Sequence, residues 1–382
     1  MPAKADKRQK EPFIRLTKRI RFPSYLAWIY RILAFVLGMV VCGLVAFLLI
    51  GKLREDPRLI GKFYMCFIEG SFARGDSVWK LLKDLSILLC IALALTPAFR
   101  MRFWNTGAEG QTLVGVLAAM GIDYFLGGTN NAAVALPDKI LVPLMLAGAL
   151  LAGAVWGLIP ALFRARWNTN ETLFTLMMNY VATYLVSYCL LRWITSGSAV
   201  MPKLSSGALP VLFGQEYLLI ILIVFILAVL MFFYLRFSKH GYEIAVVGES
   251  ERTARYVGIN VKKVIIRTML LSGMLCGLAG FLIASGLDRS VNSNSVRGQG
   301  FTAIMVSWLA KFDPIEMILT SGIVTFLKLG GETISTVFDV SSSLPNVIIG
   351  IELFFIISCE FFVNYRVHIG HRKETEEKEG VR

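Results

Sequence analysis

The chain has 382 residues, of which 56% are hydrophobic and 17% are charged, against about 25% charged residues in typical soluble proteins. This composition excludes a set of soluble globular domains, because too little polar surface is present to coat them, and it equally excludes a disordered chain. The net charge of +13 leaves either nucleic-acid binding or a membrane protein with basic cytoplasmic loops.

Ten runs without charge, or with little charge, follow one another along the chain, and each is a candidate transmembrane segment. The first, 32–51, is long enough to cross a hydrocarbon core of roughly 30 Å. The others are 85–99, 110–122, 140–163, 172–191, 217–235, 268–287, 298–310, 317–327 and 344–363. Two of them, 298–310 and 317–327, are short and are separated by Asp313 and Pro314. We therefore expect an all-α polytopic membrane protein with about ten transmembrane helices, two of them short or discontinuous.

The basic residues are distributed unevenly between the two sides of these runs. Every exit from an even-numbered run carries Arg or Lys, as at Arg100, Arg164, Arg236, Lys311 and Arg366. The loops at 127–139, 195–216 and 331–343 hold few basic residues, and the loop at 52–80 is mixed. By the positive-inside rule both termini are cytoplasmic. The positive charge thus indicates orientation in a membrane, and no nucleic-acid partner is expected.

Sequence motifs of catalysis are missing from the chain. It contains no P-loop pattern G-x-x-x-x-G-K-[ST], no zinc pattern H-E-x-x-H and no nucleophile pattern G-x-S-x-G. Its three histidines are His240, His368 and His371, too few and too dispersed for a zinc set. A multispan protein without catalytic groups is most simply a transport pathway, so we expect no enzyme activity, no metal and no cofactor in this chain.

The basic loop after the sixth run encodes one short helix over 250–257. Ser250 is a good N-cap residue, and Glu251 lies in the first turn, where the helix dipole favours an acid. Arg255 follows Glu251 at the favourable i,i+4 spacing, and Gly258 ends the helix. Two interpretations remain open, an interfacial helix lying on lipid headgroups or a docking helix that receives force from a soluble partner.

This loop resembles the cytoplasmic signature of ABC importer permeases of the ribose/branched-chain amino acid type. The family pattern is approximately G-x-x-x-R-A-x-G-x-N-x-x-A-A-x-x-x-G-I-x-V, and this chain has Ser250 where Asn is usual. Residues 103–111 resemble the element F-N-[IL]-G-x-E-G-Q, and 298–304 resemble G-x-G-F-x-x-I. Residues 170–180 resemble N-E-[VT]-[IL]-x-[TS]-L-M-[LM]-N-Y of the nucleoside branch. The resemblance assigns ATPase coupling to Gly241, Gly248, Glu249, Ser250, Glu251, Ala254, Arg255, Gly258, Ile259 and Asn260.

The resemblance also implies partners and a location. Two cytoplasmic ABC ATPase subunits would bind ATP and magnesium, a second permease subunit would complete the pathway, and an extracytoplasmic lipoprotein would deliver a small-molecule substrate. The chain would lie in the lipid bilayer of the plasma (inner) membrane of a prokaryote. It would consist of a basic cytoplasmic segment at 1–26, a transmembrane permease domain at 27–365 with a coupling loop at 238–263, and a charged cytoplasmic tail at 366–382.

Polar and aromatic residues at membrane depth form the candidate substrate pathway. They are Glu109, Gln111, Asn179, Gln299, Phe301 and Trp308. A charge at this depth is costly, so Glu109 is expected to face a cavity or a partner, and Phe301 and Trp308 could stack on a planar ring. The alternatives are hydrogen bonding between helices for Gln111 and Asn179, a helix-start role for Glu109, and ordinary packing for the aromatic residues.

Several functions remain open at this stage. A nucleoside is the expected substrate of the importer, and a simple sugar of the ribose or galactose class is the alternative. An ion-driven secondary transporter and a membrane assembly scaffold are rivals from other classes. Glu352 and Glu360 lie eight residues apart, and therefore on one helix face. We expect them to line an interface between permeases or to meet Arg or Lys from another span.

Overall fold

The computed structural model describes residues 14–18, 23–73, 75–128, 135–194, 199–203, 206–341 and 343–369. Within these ranges the chain forms fourteen α-helices and one two-stranded sheet, which confirms the all-α fold class. The helices are α1 (Ser24–Leu49), α2 (Gly51–Glu55), α3 (Ile60–Phe72), α4 (Gly75–Arg100), α5 (Ala108–Leu126), α6 (Asp138–Trp167), α7 (Glu171–Trp193), α8 (Leu218–Phe237), α9 (Lys239–Glu249), α10 (Glu251–Tyr256), α11 (Val261–Ile283), α12 (Gln299–Leu309), α13 (Pro314–Phe338) and α14 (Leu344–Asn364). The strands are β1 (Ile14–Lys18) and β2 (Tyr365–Ile369).

All ten predicted runs coincide with helices, and eight of these helices are long and apolar enough to cross a membrane. They are α1, α4, α6, α7, α8, α13, α14 and α11, the last extended to Asp288 by a π-helical turn at Ala284–Asp288. The other two helices differ from these in composition or length. Helix α5 carries Glu109 and Asp123, and α12 has only 11 residues.

The prediction of a short ninth segment at 317–327 is wrong, because α13 has 25 residues. The charge-free run stops at Lys328, but the helix continues through Lys328 and Glu332 to Phe338. The predicted break between α12 and α13 is present. The Asp313 side chain accepts a hydrogen bond from the Ile315 backbone N–H at 2.9 Å, and Pro314 occupies the first helical position, where its missing N–H is harmless.

Two segments that the sequence treats as loops contain further helices. Helix α3 lies within the predicted loop at 52–80, and α9 lies within the predicted coupling loop at 238–263, where a single short helix was expected. Gly241 and Gly248 lie within α9, where they serve close packing. A Cβ on Gly248 would overlap the Arg100 carbonyl oxygen at the end of α4.

The described chain divides into two compact units, 1–64 with 346–382, and 65–345. In the first unit, α1 and α14 run antiparallel, and Arg31 forms an ion pair with Glu360 at 2.6 Å. Strands β1 and β2 pair antiparallel, with Ile14 opposite Ile369. The remaining parts of the basic N-terminal segment, at 1–13 and 19–22, and of the charged tail, at 370–382, lie outside the described residues.

Helix α11 is central to the second unit and packs against α4, α5 and α6. Glycines bring these helices into close backbone contact. A Cβ on Gly273 would overlap the Gly153 carbonyl oxygen, and a Cβ on Gly277 would overlap that of Ala149. Such small-residue contacts are typical of helices packed in membranes, and they hold α5 and α6 firmly on α11.

Candidate functional site

The Glu109 carboxylate binds the N-terminus of α12. The Gly298 backbone N–H donates to Glu109 Oε1 at 2.8 Å, and the Gly300 N–H donates to Oε2 at 2.7 Å. Helix α12 has no side-chain cap of its own, because its N-cap residue is Gly298 with φ +74°. A carboxylate from α5 therefore satisfies N–H groups that would otherwise lack partners and complements the helix dipole.

The structure thus brings together Glu109 and the glycine run at 298–300, both singled out from the sequence. Gly300 permits this approach, because a Cβ there would overlap the Glu109 backbone nitrogen. The N–H groups of Gly298 and Gly300 are occupied by Glu109 rather than presented to a ligand. Beside them, the Gln299 Oε1 atom is buried and has no hydrogen-bond partner among the described residues.

Gln111 lies in a buried polar network that joins α5 to α11. The Asn105 side-chain amide donates to Gln111 Oε1 and to Ser272 Oγ, both at 3.2 Å. In return, Gln111 Nε2 donates to Asn105 Oδ1 at 3.2 Å. This geometry favours the interpretation of Gln111 as a residue that hydrogen-bonds between helices.

Asn179 on α7 holds the start of α5 in a similar way. Its Oδ1 accepts a hydrogen bond from the Gly110 N–H at 2.9 Å, and its Nδ2 donates to the Thr106 carbonyl oxygen at 2.9 Å. The Thr175 hydroxyl, one turn earlier on α7, lies 2.9 Å from that of Thr106. Asn179 therefore also positions the start of α5, and the contact between Thr106 and Thr175 supports the same arrangement.

Helix α12 exposes an aromatic face. Phe301, Met305 and Trp308 follow at helical spacing on one side of the helix, and they are 42%, 39% and 47% exposed. The Trp308 ring lies 4.9 Å from that of Trp104, centroid to centroid, and Trp104 is itself 41% exposed. Trp104 lies within the run 103–111, which resembles a family element, but Trp104 itself was not singled out from the sequence. The rings of Phe301 and Trp308 are accessible, as stacking on a ligand requires.

A cavity of about 520 Å³ lies along the C-terminal half of α5. All its lining residues are apolar, and they are Val114, Leu117, Ala118, Gly121, Ile122, Phe125, Leu126 and Trp193. The volume falls in the range of small-molecule pockets, about 300–1,000 Å³. Helix α5 therefore carries Glu109 at one end and an apolar cavity at the other.

The predicted helix of the coupling loop is confirmed as α10. The Ser250 hydroxyl accepts a hydrogen bond from the Thr253 N–H at 3.2 Å, and the helix ends at Tyr256, just before Gly258 with φ +82°. The Asn260 side chain then accepts from the Lys263 N–H at 3.2 Å and caps α11. Local capping therefore marks both ends of this segment.

The proposed coupling residues fall into a buried group and an exposed group. Ala254 is fully buried, and Ile259 packs against the same apolar cluster, which includes Ile244, Met101 and Phe103. Gly241 and Gly248 provide close backbone contacts. The exposed group comprises Glu249, Glu251 and Arg255, together with Tyr256 and Val257 at 93% and 62% exposure. Tyr256 and Val257 were not singled out from the sequence, although two neighbouring apolar residues at the end of a capped helix in a basic loop are a usable signal.

Arg164, near the end of α6, connects α10 to α6 and α7 through two ion pairs. Its guanidinium lies 3.3 Å from Glu171 at the start of α7 and 3.8 Å from Glu251 of α10. Glu251 in turn lies 3.4 Å from Arg255. From the sequence, Arg164 was recognised only as a basic residue just after a transmembrane run. Its two partners cannot be deduced from their spacing along the chain.

His240 is partly buried at the start of α9, where its ring contacts the Tyr234 hydroxyl and lies 3.4 Å from that of Thr268. Burial lowers the pKa of His240, and the nearby Glu243 carboxylate partly opposes this shift. The imidazole is therefore neutral at pH 7 and acts as a packed, hydrogen-bonded side chain between α9 and α11.

Comparison with known proteins identifies several relatives. The guanosine ABC transporter permease protein of Bacillus subtilis is 29% identical over 77% of this chain and 85% of the relative. The glucose ABC transporter permease protein of Haloferax volcanii is 27% identical over 93% of this chain and 94% of the relative. The nucleoside ABC transporter permease protein of Lactococcus lactis is 25% identical over 66% of this chain and 72% of the relative. No solved structure matches the chain significantly.

A family model described as branched-chain amino acid transport system / permease component matches residues 77–357. The match covers most of the chain and includes α4 to α13, with both the Glu109 contact and α10. The chain therefore belongs to this family and is a multi-pass membrane permease subunit of an ABC transporter.

Proposed function

We propose that the chain is the permease subunit of an ATP-driven importer of nucleosides. Two cytoplasmic ATPase subunits would supply the energy, a second permease subunit would complete the pathway, and an extracytoplasmic lipoprotein would deliver the substrate. The observation that carries the proposal is α10, a short capped helix with an exposed apolar end. The nucleoside is suggested by the names of two relatives and by the aromatic face of α12.

The geometry of α10 suits the transmission of force from an ATPase. Tyr256 and Val257 present an exposed apolar tip, which an ATPase groove would cover. Ala254, on the opposite side, is anchored in the buried cluster. A displacement of α10 is therefore passed to α4 and α11 through packing, and to α6 and α7 through the contacts of Arg164 with Glu251 and Glu171.

The substrate pathway would run along α5 and α12. Phe301 and Trp308 would stack on the base of the nucleoside, and the side-chain Oε1 of Gln299, unpartnered among the described residues, would accept a hydrogen bond from it once the side chain turns out of its buried position. Glu109 would hold α12 in position. The apolar cavity beside Trp193 would hold the substrate near the other end of α5, where a flat base suits an apolar lining.

A simple sugar is the second candidate substrate, because the glucose permease relative covers 93% of this chain. A sugar offers many hydroxyl groups, whereas the cavity along α5 is lined only by apolar residues. Burying hydroxyls without partners is costly for a sugar and for the ribose of a nucleoside alike, so the preference for a nucleoside rests on its planar base, which can stack on Phe301 and Trp308.

Uptake of labelled compounds by cells lacking this chain tests the proposal. We expect loss of guanosine and cytidine uptake, with pentose uptake unchanged. A selective loss of pentose uptake would contradict the nucleoside assignment.

The variant Trp308→Ala refines this test. Stacking on an aromatic side chain contributes about 1–3 kcal/mol per base, so KM for guanosine should rise about 5- to 150-fold. The matched control is Tyr184→Ala on α7, where an aromatic ring is 74% exposed but away from α12. Equal effects of the two substitutions would argue against a stacking role for Trp308.

A further inference from the structure

Two carboxylates on one face of α14 have opposite surroundings. Glu360 forms an ion pair with Arg31 of α1 at 2.6 Å, as expected of an acid that meets a basic residue from another span. Glu352 lies two turns earlier on α14. Its side chain is fully buried, with 0% exposure, and neither of its oxygens has a hydrogen-bond partner among the described residues.

The space for Glu352 is provided by Gly38 on α1. A Cβ at Gly38 would overlap Glu352 Oε2, so the missing side chain at Gly38 lets the carboxyl group lie directly against the α1 backbone. Cys42 follows Gly38 one turn later on the same face, and its thiol donates to the Ile348 carbonyl oxygen at 3.7 Å. The two helices therefore meet through Gly38, Cys42, Ile348 and Glu352.

Among the residues that the structure describes, the groups that face this carboxyl group offer no positive charge. The titratable ones are the Cys42 thiol on α1 and, beyond it, the Tyr64 phenol on α3, which lies against Gly43 and donates to the Met39 carbonyl oxygen at 3.1 Å. Arg31 is on the same face of α1 as Gly38, but it lies two turns away and binds Glu360.

Glu352 lies at a depth in the membrane where an ionised side chain is costly. Gly38 lies near the middle of the membrane-crossing stretch Ile29–Leu49, so the carboxyl group opposite it lies near the centre of the bilayer. An ionised carboxylate without a cation or hydrogen-bond donors is strongly disfavoured in such surroundings. Binding one proton removes the charge and allows the group to remain buried.

We propose that Glu352 is a proton-binding site in the centre of the α1–α14 pair, held as the uncharged acid at neutral pH. Its proton keeps the two helices packed, because release would leave a bare carboxylate against the α1 backbone. This site is independent of the substrate and of the ATPase, and it exists whether or not the proposed nucleoside function is correct.

Infrared difference spectroscopy on the full-length protein in lipid nanodiscs tests this proposal. The wild-type minus Glu352→Gln spectrum at neutral pH should show the carbonyl stretch of a protonated carboxylic acid and no carboxylate band. The matched control is Glu360→Gln on the same helix, whose difference spectrum should show a carboxylate band. If Glu352→Gln fails to insert, Glu352→Met provides the same comparison with an apolar side chain of similar length.

Thermal unfolding gives a second readout. At neutral pH the folded state holds one more proton at Glu352 than the unfolded state, where the group is ionised, so raising the pH lowers stability. We expect the wild-type Tm to fall between about pH 6 and about pH 9 more steeply than that of Glu352→Gln. A carboxylate band lost in Glu352→Gln at neutral pH, or identical pH profiles of the two proteins, would overturn the proposal.

Discussion

At the scale of single residues, Glu109 has a role that is normally filled by a neighbour in sequence. Helix N-termini are usually capped by Ser, Thr, Asp or Asn just before the first turn. At α12 that position is Gly298, and the acceptor is a carboxylate 189 residues away in the chain. The two N–H groups that it binds make the position of α12 depend on α5.

Replacement of Glu109 by Gln should therefore loosen α12. The amide has one acceptor oxygen and no charge, so at least one hydrogen bond to a charged group is lost, at a cost of about 1.5–3 kcal/mol. We expect a lower Tm and reduced substrate uptake in membranes that contain normal amounts of the protein. The control is Glu332→Gln, an exposed acid on α13. Unchanged Tm and uptake in Glu109→Gln would show that this contact does not hold α12.

The contrast between Glu109 and Ser250 shows what sequence can reveal of the site. Ser250 and Asn260 cap helices through backbone groups three residues away, so the pattern alone predicted the cap at Ser250 and the helix that follows it. Glu109 stood out as an acid at membrane depth, but its partners Gly298 and Gly300 are distant in the chain. Only the packing of α5 against α12 brings them together.

At the scale of secondary-structure elements, α10 combines firm anchoring with an exposed end. It has only six residues, too few to be stable alone, so its order depends on the burial of Ala254 and on its caps. The tip formed by Tyr256 and Val257 contributes little to that anchoring, because both residues are largely exposed.

Substitutions at this tip should consequently separate coupling from folding. We expect Arg255→Gln and Tyr256→Ser to insert normally and to keep the wild-type Tm, because both side chains are exposed, yet to lose ATP-dependent uptake. The measurement is substrate-stimulated ATP hydrolysis together with uptake in the reconstituted complex. Lys203→Gln, an exposed charge in another loop, is the control, and normal uptake in the Arg255 and Tyr256 variants would refute the docking role of α10.

Helix boundaries were predictable where local signals mark them and were missed where packing decides. Asp313 and Pro314 mark the start of α13 in the sequence, but its end was placed at the first charge, although Lys328 and Glu332 continue the helix. Helix α9 was not predicted, and it contains Gly241 and Gly248. Their true role is close contact with backbone carbonyls of Tyr234 and Arg100, which no local pattern reveals.

At the scale of the whole molecule, the chain has the architecture of a membrane permease. Its sequence lacks a P-loop, and it belongs to a family of permease components. Under the proposed function, separate ATPase subunits supply the energy for transport, and an ion gradient is the alternative source.

Purification of the tagged chain from its native membrane distinguishes these sources. We expect ATP-binding subunits to co-purify with it and to hydrolyse ATP faster when substrate and its binding protein are added. Loss of these subunits from the Tyr256→Ser preparation would support docking at α10. Uptake that persists without any ATP-binding subunit, driven by a proton or sodium gradient, would instead support a secondary transporter.

The pairing of α1 with α14 has a consequence for biosynthesis. The first helix enters the membrane while more than ten others remain to be translated, yet its packing face, with Gly38 and Cys42, is completed only by the last helix. The ion pair of Arg31 with Glu360 is likewise formed by residues at opposite ends of the chain. The contacts of α1 with α14 can therefore form only after α14 has been synthesised, so this unit assembles late in insertion.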